Sequence, residues 1–385
     1  MTDRFHWHPQ ARLYGSAGQE VQRASAAGAV LQDSARGLAQ AIDVKAFRIG
    51  APDRPPPMAA EVPVFETLTS GSTGQPRRIM RTQASWTASF AVNSRFGIGP
   101  AARVAILGRL VHSLSLYGAV EGLHLGAEVH LLDSLRPDRQ RKAVISRRIS
   151  HLYATPAQLR LMVAAADPCP DLQVILVGGS KLDAGLGTAL QAMAPAVQIK
   201  EFYGAGETSF ITMADADTPK GSVGRAYPGV EIALDPGGEV WVKSPYLFRG
   251  YVGDPGGARW RDGWLSVGEI GRMETGYLYL HGRAGRMVTV ADQNVFPEEI
   301  EAMMQALPGI DRVAVLSVPD PLRGHVLVAL AQGDPACEAE ILAAARAGLG
   351  PLRAPKALVW QTDWPILPSG KTDLRALEAR LPWPA

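Results

Sequence analysis

Small hydroxyl side chains and glycines crowd the segment Thr69-Ser70-Gly71-Ser72-Thr73-Gly74-Gln75-Pro76-Arg77, and Arg78 follows. Such a run lets backbone N–H and side-chain O–H groups wrap phosphate oxygens. It is not a Walker A loop, because GxxxxGK[ST] is absent. The same composition also suits a flexible Ser/Gly linker. A second segment, Glu201-Phe202-Tyr203-Gly204-Ala205-Gly206-Glu207-Thr208, ends a predicted parallel strand. Ligands in open α/β sheets sit at the carboxyl ends of strands. An aromatic ring there can stack on a base, and the carboxylate of Glu207 can hold Mg²⁺ against phosphate oxygens. The bland alternative is a glycine turn with a surface glutamate. A third segment runs Trp264-Leu265-Ser266-Val267-Gly268-Glu269-Ile270-Gly271, followed by Gly282-Arg283. A carboxylate such as Glu269 can accept both ribose hydroxyl protons; otherwise it is a solvated turn residue. The fourth, Pro368-Ser369-Gly370-Lys371, puts a lysine at the tip of a glycine turn, where lysine is commonly just solvated.

These segments need a scaffold. Short apolar runs at 103–107, 128–132, 151–154, 172–177 and 198–203 alternate with amphipathic stretches near 112–125, 136–149, 156–166 and 182–193. Alternating strands and helices indicate βα units and a mostly parallel sheet. Residues 19–42 carry helical spacing. Beyond about residue 220 the pattern turns β-rich, with a DPGG turn at 235–238. Near 285 it changes again. Pro297 opens a helix with Ile300, Met303, Met304 and Leu307 on one face, two strands follow at 312–318 and 325–331, then helices over 338–347 and after Lys371. The expected fold class is α/β: a large domain with mostly parallel sheets, and a small C-terminal α+β domain.

Composition narrows the function. Over 385 residues, 39 Lys plus Arg nearly balance 37 Asp plus Glu, for a net charge of +2. That excludes nucleic-acid binding by bulk charge. No stretch approaches the ~20 apolar residues needed to span a bilayer, so no integral membrane segment is expected. Cys169 and Cys337 are the two cysteines and form no CxxC, so neither a disulfide scaffold nor a zinc module fits. A reducing, cytoplasmic setting is expected. His124 and His130 flank a helix–strand turn and read as structural.

In this order and spacing, the four segments together with GSVGRAYPGVEIAL and NVFPEEIE resemble the adenylate-forming superfamily of acyl- and aryl-CoA synthetases. The resemblance covers about residues 65–380. It implies a shortened N-terminal AMP-binding domain over 1–283 and a mobile C-terminal domain over 284–385. It implies ATP, Mg²⁺ and CoA, and two steps: a carboxylic acid and ATP give an acyl-adenylate, and a thiol then displaces AMP. By the same resemblance, Thr69, Ser70, Gly71, Ser72, Thr73, Gly74 and Arg77 would cradle phosphates. Gly178, Gly179 and Ser180 would line the adenine and acyl sites. Tyr203, with Gly204, would lie against adenine, Glu207 would bind Mg²⁺, Glu269 would hold the ribose with help from Arg283, and Lys371 would bridge the carboxylate and α-phosphate. His112 matches the family residue near the acyl carboxylate; it also reads as a packed core histidine.

Several positions depart from the family. Arg77 stands where Lys is usual, and Glu269 where Asp is usual. Gly285 and Arg286 occupy the hinge, and Ala291-Asp292 replace a Gly-Gly beside the thiol tunnel. Only about 65 residues precede the phosphate loop, so part of one flanking sheet is expected to be missing or rebuilt. The short N-terminus is similar to that of short 4-coumarate-CoA ligases, which implies an aryl acid, with Tyr117 offering its hydroxyl to a substrate phenol. Alternatives are an enzyme that loads a carrier-protein phosphopantetheine, a fatty acyl-CoA synthetase, and a non-catalytic nucleotide-binding homologue.

Overall fold

The computed structural model describes residues 3–25, 28–57, 61–69, 77–164, 167–253, 256–291, 293–367 and 370–381. Ser70, Gly71, Ser72, Thr73 and Gly74 therefore lie outside the described residues, as does Asp292.

A ten-stranded sheet organises the molecule. Its first six strands are parallel, in the spatial order Arg12–Tyr14, Glu128–Leu131, Arg103–Ile106, His151–Ala154, Val174–Val177 and Gln198–Ala205. The strands His151–Ala154 and Val174–Val177 are buried throughout. That is what helices on both faces require, and it explains the unbroken VILV run. The connecting helices Ser113–Leu125, Pro137–Ser146, Pro156–Val163 and Ala184–Met193 match the amphipathic stretches. Local chemistry sets their ends. Pro137 and Pro156 open two of them, Asp183 caps the fourth through Leu186 N, and Gly126 stops the first at φ +97°. Past Gln198–Ala205 the sheet turns antiparallel through Ser209–Met213, Arg225–Ala226, Tyr277–Arg283 and Glu269–Glu274.

A second, five-stranded sheet carries Val30–Leu31, Ala46–Ile49, Val64–Leu68, Arg78–Thr82 and Gly250–Tyr251. Its Val64–Leu68/Arg78–Thr82 hairpin presents the phosphate-loop segment. The helical reading of 19–42 is corrected here: the helix covers Ala35–Ala41 alone, and Val30–Leu31 pairs with Ala46–Ile49 as a strand. Ser34 caps the helix through Gly37 N, and the β-branched Val30 with Leu31 is drawn into the sheet beside Ala46–Ile49.

The C-terminal part builds its own core. The hairpin Ile310–Asp320/Gly324–Gly333, with Ala357–Trp360 parallel beside it, packs Val315, Leu327 and Ala329 against Ile300, Met304 and Ile341 of helices Pro297–Met304 and Glu338–Arg353. The second helix outruns its expected end at 347, with a break at Gly350-Pro351. A short turn, Ala284–Arg286, joins this part to the strand Tyr277–Arg283. Arg286 is committed to the C-terminal side, pairing with Glu301 (2.7 Å) and Glu298 (3.3 Å) and donating to Val315 O (3.0 Å). His281 bridges across to Glu299, which also pairs with Arg353.

A fully buried polar cluster ties the large sheet to the helices around it. Asn93 Nδ2 and Tyr117 Oη each donate to Glu121 Oε1 at 3.0 Å, Tyr153 Oη is hydrogen-bonded to the other carboxyl oxygen, and Tyr227 donates to Asn93 Oδ1 at 2.7 Å. Burial nonetheless pushes the Glu121 carboxyl up to about 8, because desolvation outweighs these donors. Folded Glu121 thus keeps its proton at neutral pH while the unfolded chain releases it. The unfolded state binds fewer protons between about pH 4.5 and 8, so this group's contribution to stability falls as pH rises through that window. Glu121→Gln is expected to raise Tm at pH 8 more than at pH 5 in parallel calorimetric scans. Equal shifts at both pH values would contradict a protonated Glu121.

Candidate functional site

The phosphate-loop hairpin is pinned at its base. Thr69 N donates to Arg77 O (2.8 Å), and Arg77 N returns to Thr69 Oγ1 (3.2 Å). Leu68 N donates to Val111 O (3.0 Å) and Ser113 Oγ to Leu68 O (3.1 Å), which brings the turn carrying His112 beside the strand end. His112 caps the helix Ser113–Leu125 by backbone conformation alone. Its Nδ1 is buried without a hydrogen-bond partner. Burial, then Arg109, lowers its pKa, so the ring is neutral at pH 7.

These groups converge on a cavity of about 220 Å³. Of the residues singled out by sequence, Thr69, Arg77, His112, Gly178, Gly179, Gly204, Glu207, Arg283 and Lys371 line it. Three others do not. Ser180 is exposed beyond the strand end. Tyr203, expected against adenine, is half-buried, with its hydroxyl buried without a partner, and burial and then Glu269 raise its pKa well above the usual phenol range. Glu269, 8% exposed, stands behind Arg283, which donates from Nε to Glu269 Oε1 at 2.9 Å. The two residues are cross-strand partners in the Glu269–Glu274/Tyr277–Arg283 pair, so the β-ladder itself sets this ion pair.

Glu207 sits on the turn between the strands Gln198–Ala205 and Ser209–Met213. Tyr251 donates to its Oε1 at 2.9 Å, and the Arg77 guanidinium lies 5.7 Å above the Tyr251 ring. Opposite, the turn Leu367–Lys371 closes on itself through Leu367 N to Lys371 O (2.8 Å). It docks so closely that a Cβ on Gly370 would stand 3.1 Å from Thr155 Oγ1. This contact carries Lys371 into the cavity. Burial and then Arg283 lower the Lys371 ammonium to about 8, with Glu269 and Glu207 opposing.

Arg81 was not marked by the sequence reading. In the strand Arg78–Thr82 it shares the inward face with Ile79, and both are 0% exposed. Its guanidinium donates to the main-chain carbonyls of Gly206 and Tyr246 and, at 3.4 Å, of Glu207. It lies 5.9 Å from the Trp86 ring. Burial depresses its pKa to about 9. A cation thus ties the turn bearing Glu207 to the strand that leaves the phosphate loop. The available signal was a charge at an inward position of an alternating strand.

A largely apolar cavity with convergent charged groups at the carboxyl ends of parallel strands, reached by a lysine from a separately cored C-terminal part, is where open α/β folds bind their ligands. Residues 10–252 match the AMP-binding enzyme family, and residues 299–371 match the AMP-binding enzyme C-terminal domain. The chain belongs to the AMP-binding enzyme family. It is 34% identical over 337 residues to the uncharacterized acyl–CoA ligase YhfT of Bacillus subtilis, covering 83% of this chain and 69% of that protein. It is 28% identical over 273 residues to VraA of Staphylococcus epidermidis, whose name carries a provisional long chain fatty acid–CoA ligase assignment; the match covers 69% and 60% of the two chains. Indoleacetate–CoA ligase of Aromatoleum aromaticum is 28% identical over 365 residues, 85% of this chain and 69% of that one. The chain therefore spans between 60% and 69% of the length of these relatives. The structure of ATP-bound MatB from Rhodopseudomonas palustris superposes with a TM-score of 0.79 at 20% identity, covering 97% of this chain and 96% of that one.

Arg81→Lys is expected to destabilise the protein by about 1–3 kcal/mol. One ammonium cannot reach carbonyls that the planar fork spans, which leaves a buried acceptor unpaired. The urea midpoint measures this, and an unchanged midpoint would remove Arg81 from the support of the Glu207 turn.

Proposed function

We propose that this protein is an ATP-dependent acid–CoA ligase that forms an acyl-adenylate and then a thioester, with an aryl acid as substrate. Membership of the AMP-binding enzyme family and the acyl–CoA ligase relatives support the reaction class. The observation that carries the reading is Lys371, which reaches from the C-terminal part into the cavity that Thr69, His112, Glu207 and Arg283 line.

In the first half-reaction a carboxylate oxygen attacks the α-phosphorus, and the bond to the β-phosphate oxygen breaks to release pyrophosphate. Charge builds on the equatorial oxygens. Lys371 and Arg283, two cations facing that point, stabilise it electrostatically. Glu269 holds Arg283 in place through their 2.9 Å pair. Thr69 and Arg77 mark the two ends of the segment that cradles the β- and γ-phosphates. Neutral His112 walls the carboxylate without competing as a cation.

Glu207 suits Mg²⁺: it is a hard oxygen donor held in place by Tyr251. No cluster of three His, Cys, Asp or Glu fit to hold a metal occurs among the described residues. Phosphate oxygens and water commonly supply most of this ion's other ligands. Bound there, Mg²⁺ supplies positive charge against the phosphates.

In the second half-reaction a thiolate attacks the acyl carbonyl and AMP leaves. We place the boundary between the two domains at residues 283 and 284, with Ala284-Gly285 as the pivot, because Arg286 is already bound to the C-terminal side. Rotation there would withdraw Lys371 before the thiol enters. No helix among the described residues is long and apolar enough to cross a membrane, and a cytoplasmic site of action is part of this proposal.

Lys371→Ala is expected to abolish carboxylate-dependent ATP–pyrophosphate exchange while sparing thioester formation from supplied acyl-adenylate. Equal loss in both half-reactions would reject the rotating-domain account.

The cavity favours a flat, short acid. Trp86, Tyr117, Phe202 and Phe210 form its apolar wall, with Trp86–Tyr117 and Tyr117–Phe210 ring centroids 5.1 and 5.2 Å apart. Phe202 presses on Gly178 so tightly that a Cβ there would meet the ring at 2.3 Å. Such interlocked rings suit stacking on a flat aromatic acyl group. The expected order of kcat/KM with CoA is 4-hydroxycinnamate above octanoate. Octanoate ranking first would reject the aryl assignment and leave the ligase intact.

A further inference from the structure

The hydroxyl of Tyr117 is not available to a substrate. It is taken by Ser89 Oγ (2.7 Å), Asn93 Nδ2 (3.1 Å) and Glu121 Oε1 (3.0 Å). A different pair of polar groups faces the cavity. Gln158 occupies the third position of the helix Pro156–Val163, and its Oε1 accepts from Thr155 N at 2.9 Å in a capping box. That backbone N–H can only donate, so the amide has one orientation: oxygen toward Thr155, NH₂ away. Nε2 then lies against Gly108, 2.9 Å from where a Cβ on that glycine would stand. Ser115 Oγ stands 2.6 Å from the same point. Only a residue without a side chain lets the two tips converge there.

Gly108, Ser115 and Gln158 all line the cavity of Lys371 and His112. Ser115 is 8% exposed. Among the described residues neither Ser115 Oγ nor Gln158 Nε2 has a hydrogen-bond partner. The neighbouring strand-end carbonyl, Leu107 O, accepts from Gln140 Nε2 at 3.1 Å. Two helices, Ser113–Leu125 and Pro156–Val163, begin beside this point, which adds a positive dipole end from each. The place is rich in donors and short of acceptors. An all-hydrocarbon acyl group closing over it would strand these N–H and O–H groups away from water, at a real cost in affinity.

We propose that Ser115 and Gln158, meeting over Gly108, form a subsite for an acceptor oxygen on the acyl group, and that the substrate class is therefore carboxylic acids bearing a phenolic hydroxyl or a keto group. This rests on the ligase reading above and names the part of the substrate that reading left open. Gln158 donates two protons and accepts none at this point, while Ser115 donates or accepts according to the oxygen presented.

The test uses full-length protein and three acid pairs that differ by one oxygen function: 4-hydroxycinnamate and cinnamate, 2-hydroxybenzoate and benzoate, 3-benzoylpropanoate and 4-phenylbutanoate. The first readout is the ratio of kcat/KM within each pair in ATP–pyrophosphate exchange. The second is the ratio of Kd within each pair by calorimetry, which needs no turnover. Wild type is expected to favour the oxygenated member of at least one pair by tenfold or more. Ser115→Ala and Gln158→Glu are expected to cut that ratio at least tenfold. The glutamate keeps the capping box with Thr155 and replaces the two donors by an acceptor, so a lost ratio in a protein of wild-type Tm reports the subsite and not the fold. A ratio within threefold of wild type in both variants overturns the proposal, as does a wild type that prefers the deoxygenated acid in every pair. Absence of exchange with every acid, beside an intact Kd ratio, would overturn the ligase reading and leave the subsite standing.

Discussion

Two cations from distant parts of the chain share one partly enclosed cavity, and the architecture depends on how their repulsion is met. Arg283 is held by Glu269 on the neighbouring strand at 2.9 Å. Lys371 has no such strand partner, and its ammonium is depressed to about 8 by burial and by Arg283. An anion placed between them relieves both effects at once. The cavity is thus electrostatically complementary to a phosphate, and most so when that phosphate gains charge.

Bringing the cations together requires rigid support on each side. On the large domain, the six-strand parallel sheet fixes the ends of Val174–Val177 and Gln198–Ala205, and Arg81 braces the turn that follows. The same guanidinium packs on Trp86, which also lines the acyl wall. Phosphate loop, carboxylate turn and acyl wall therefore share one buried support, and a change there is felt by all three. On the C-terminal side the support is looser by design of the linkage. Arg286 belongs to the C-terminal helix and strand, whereas His281 and Arg283 belong to the large sheet. Only Ala284 and Gly285 lie between.

The aromatic end of the cavity follows different physics. Its wall is aromatic and tightly interlocked, backed by a buried cluster in which Glu121 stays protonated. Such a cluster fixes the rings of Tyr117 and Tyr153 by satisfied hydrogen bonds, which leaves the wall apolar toward the cavity. Polarity re-enters at Gly108, where two helix starts meet.

Local sequence alone determined the elements whose chemistry is local. Val174–Val177 was legible because a strand buried on both faces must be apolar throughout, and Pro297 marked a helix start because, within a helix, proline suits the first turn. The order of Thr69, Glu207, Glu269 and Lys371 pointed to the family, since the types of group needed for phosphate, metal and ribose are few. What sequence could not decide is which side chains share a surface. The hydroxyl of Tyr203 is buried beside the Glu269–Arg283 pair, the hydroxyl of Tyr117 is consumed by Asn93 and Glu121, and the stretch 19–42 has helical spacing but, among the described residues, only Ala35–Ala41 is helical. What Arg81 would bind, and the Gly108–Ser115–Gln158 meeting, could not be read for the same reason. Their partners lie up to 165 residues away, and only the packed tertiary structure removes the water that would otherwise satisfy them.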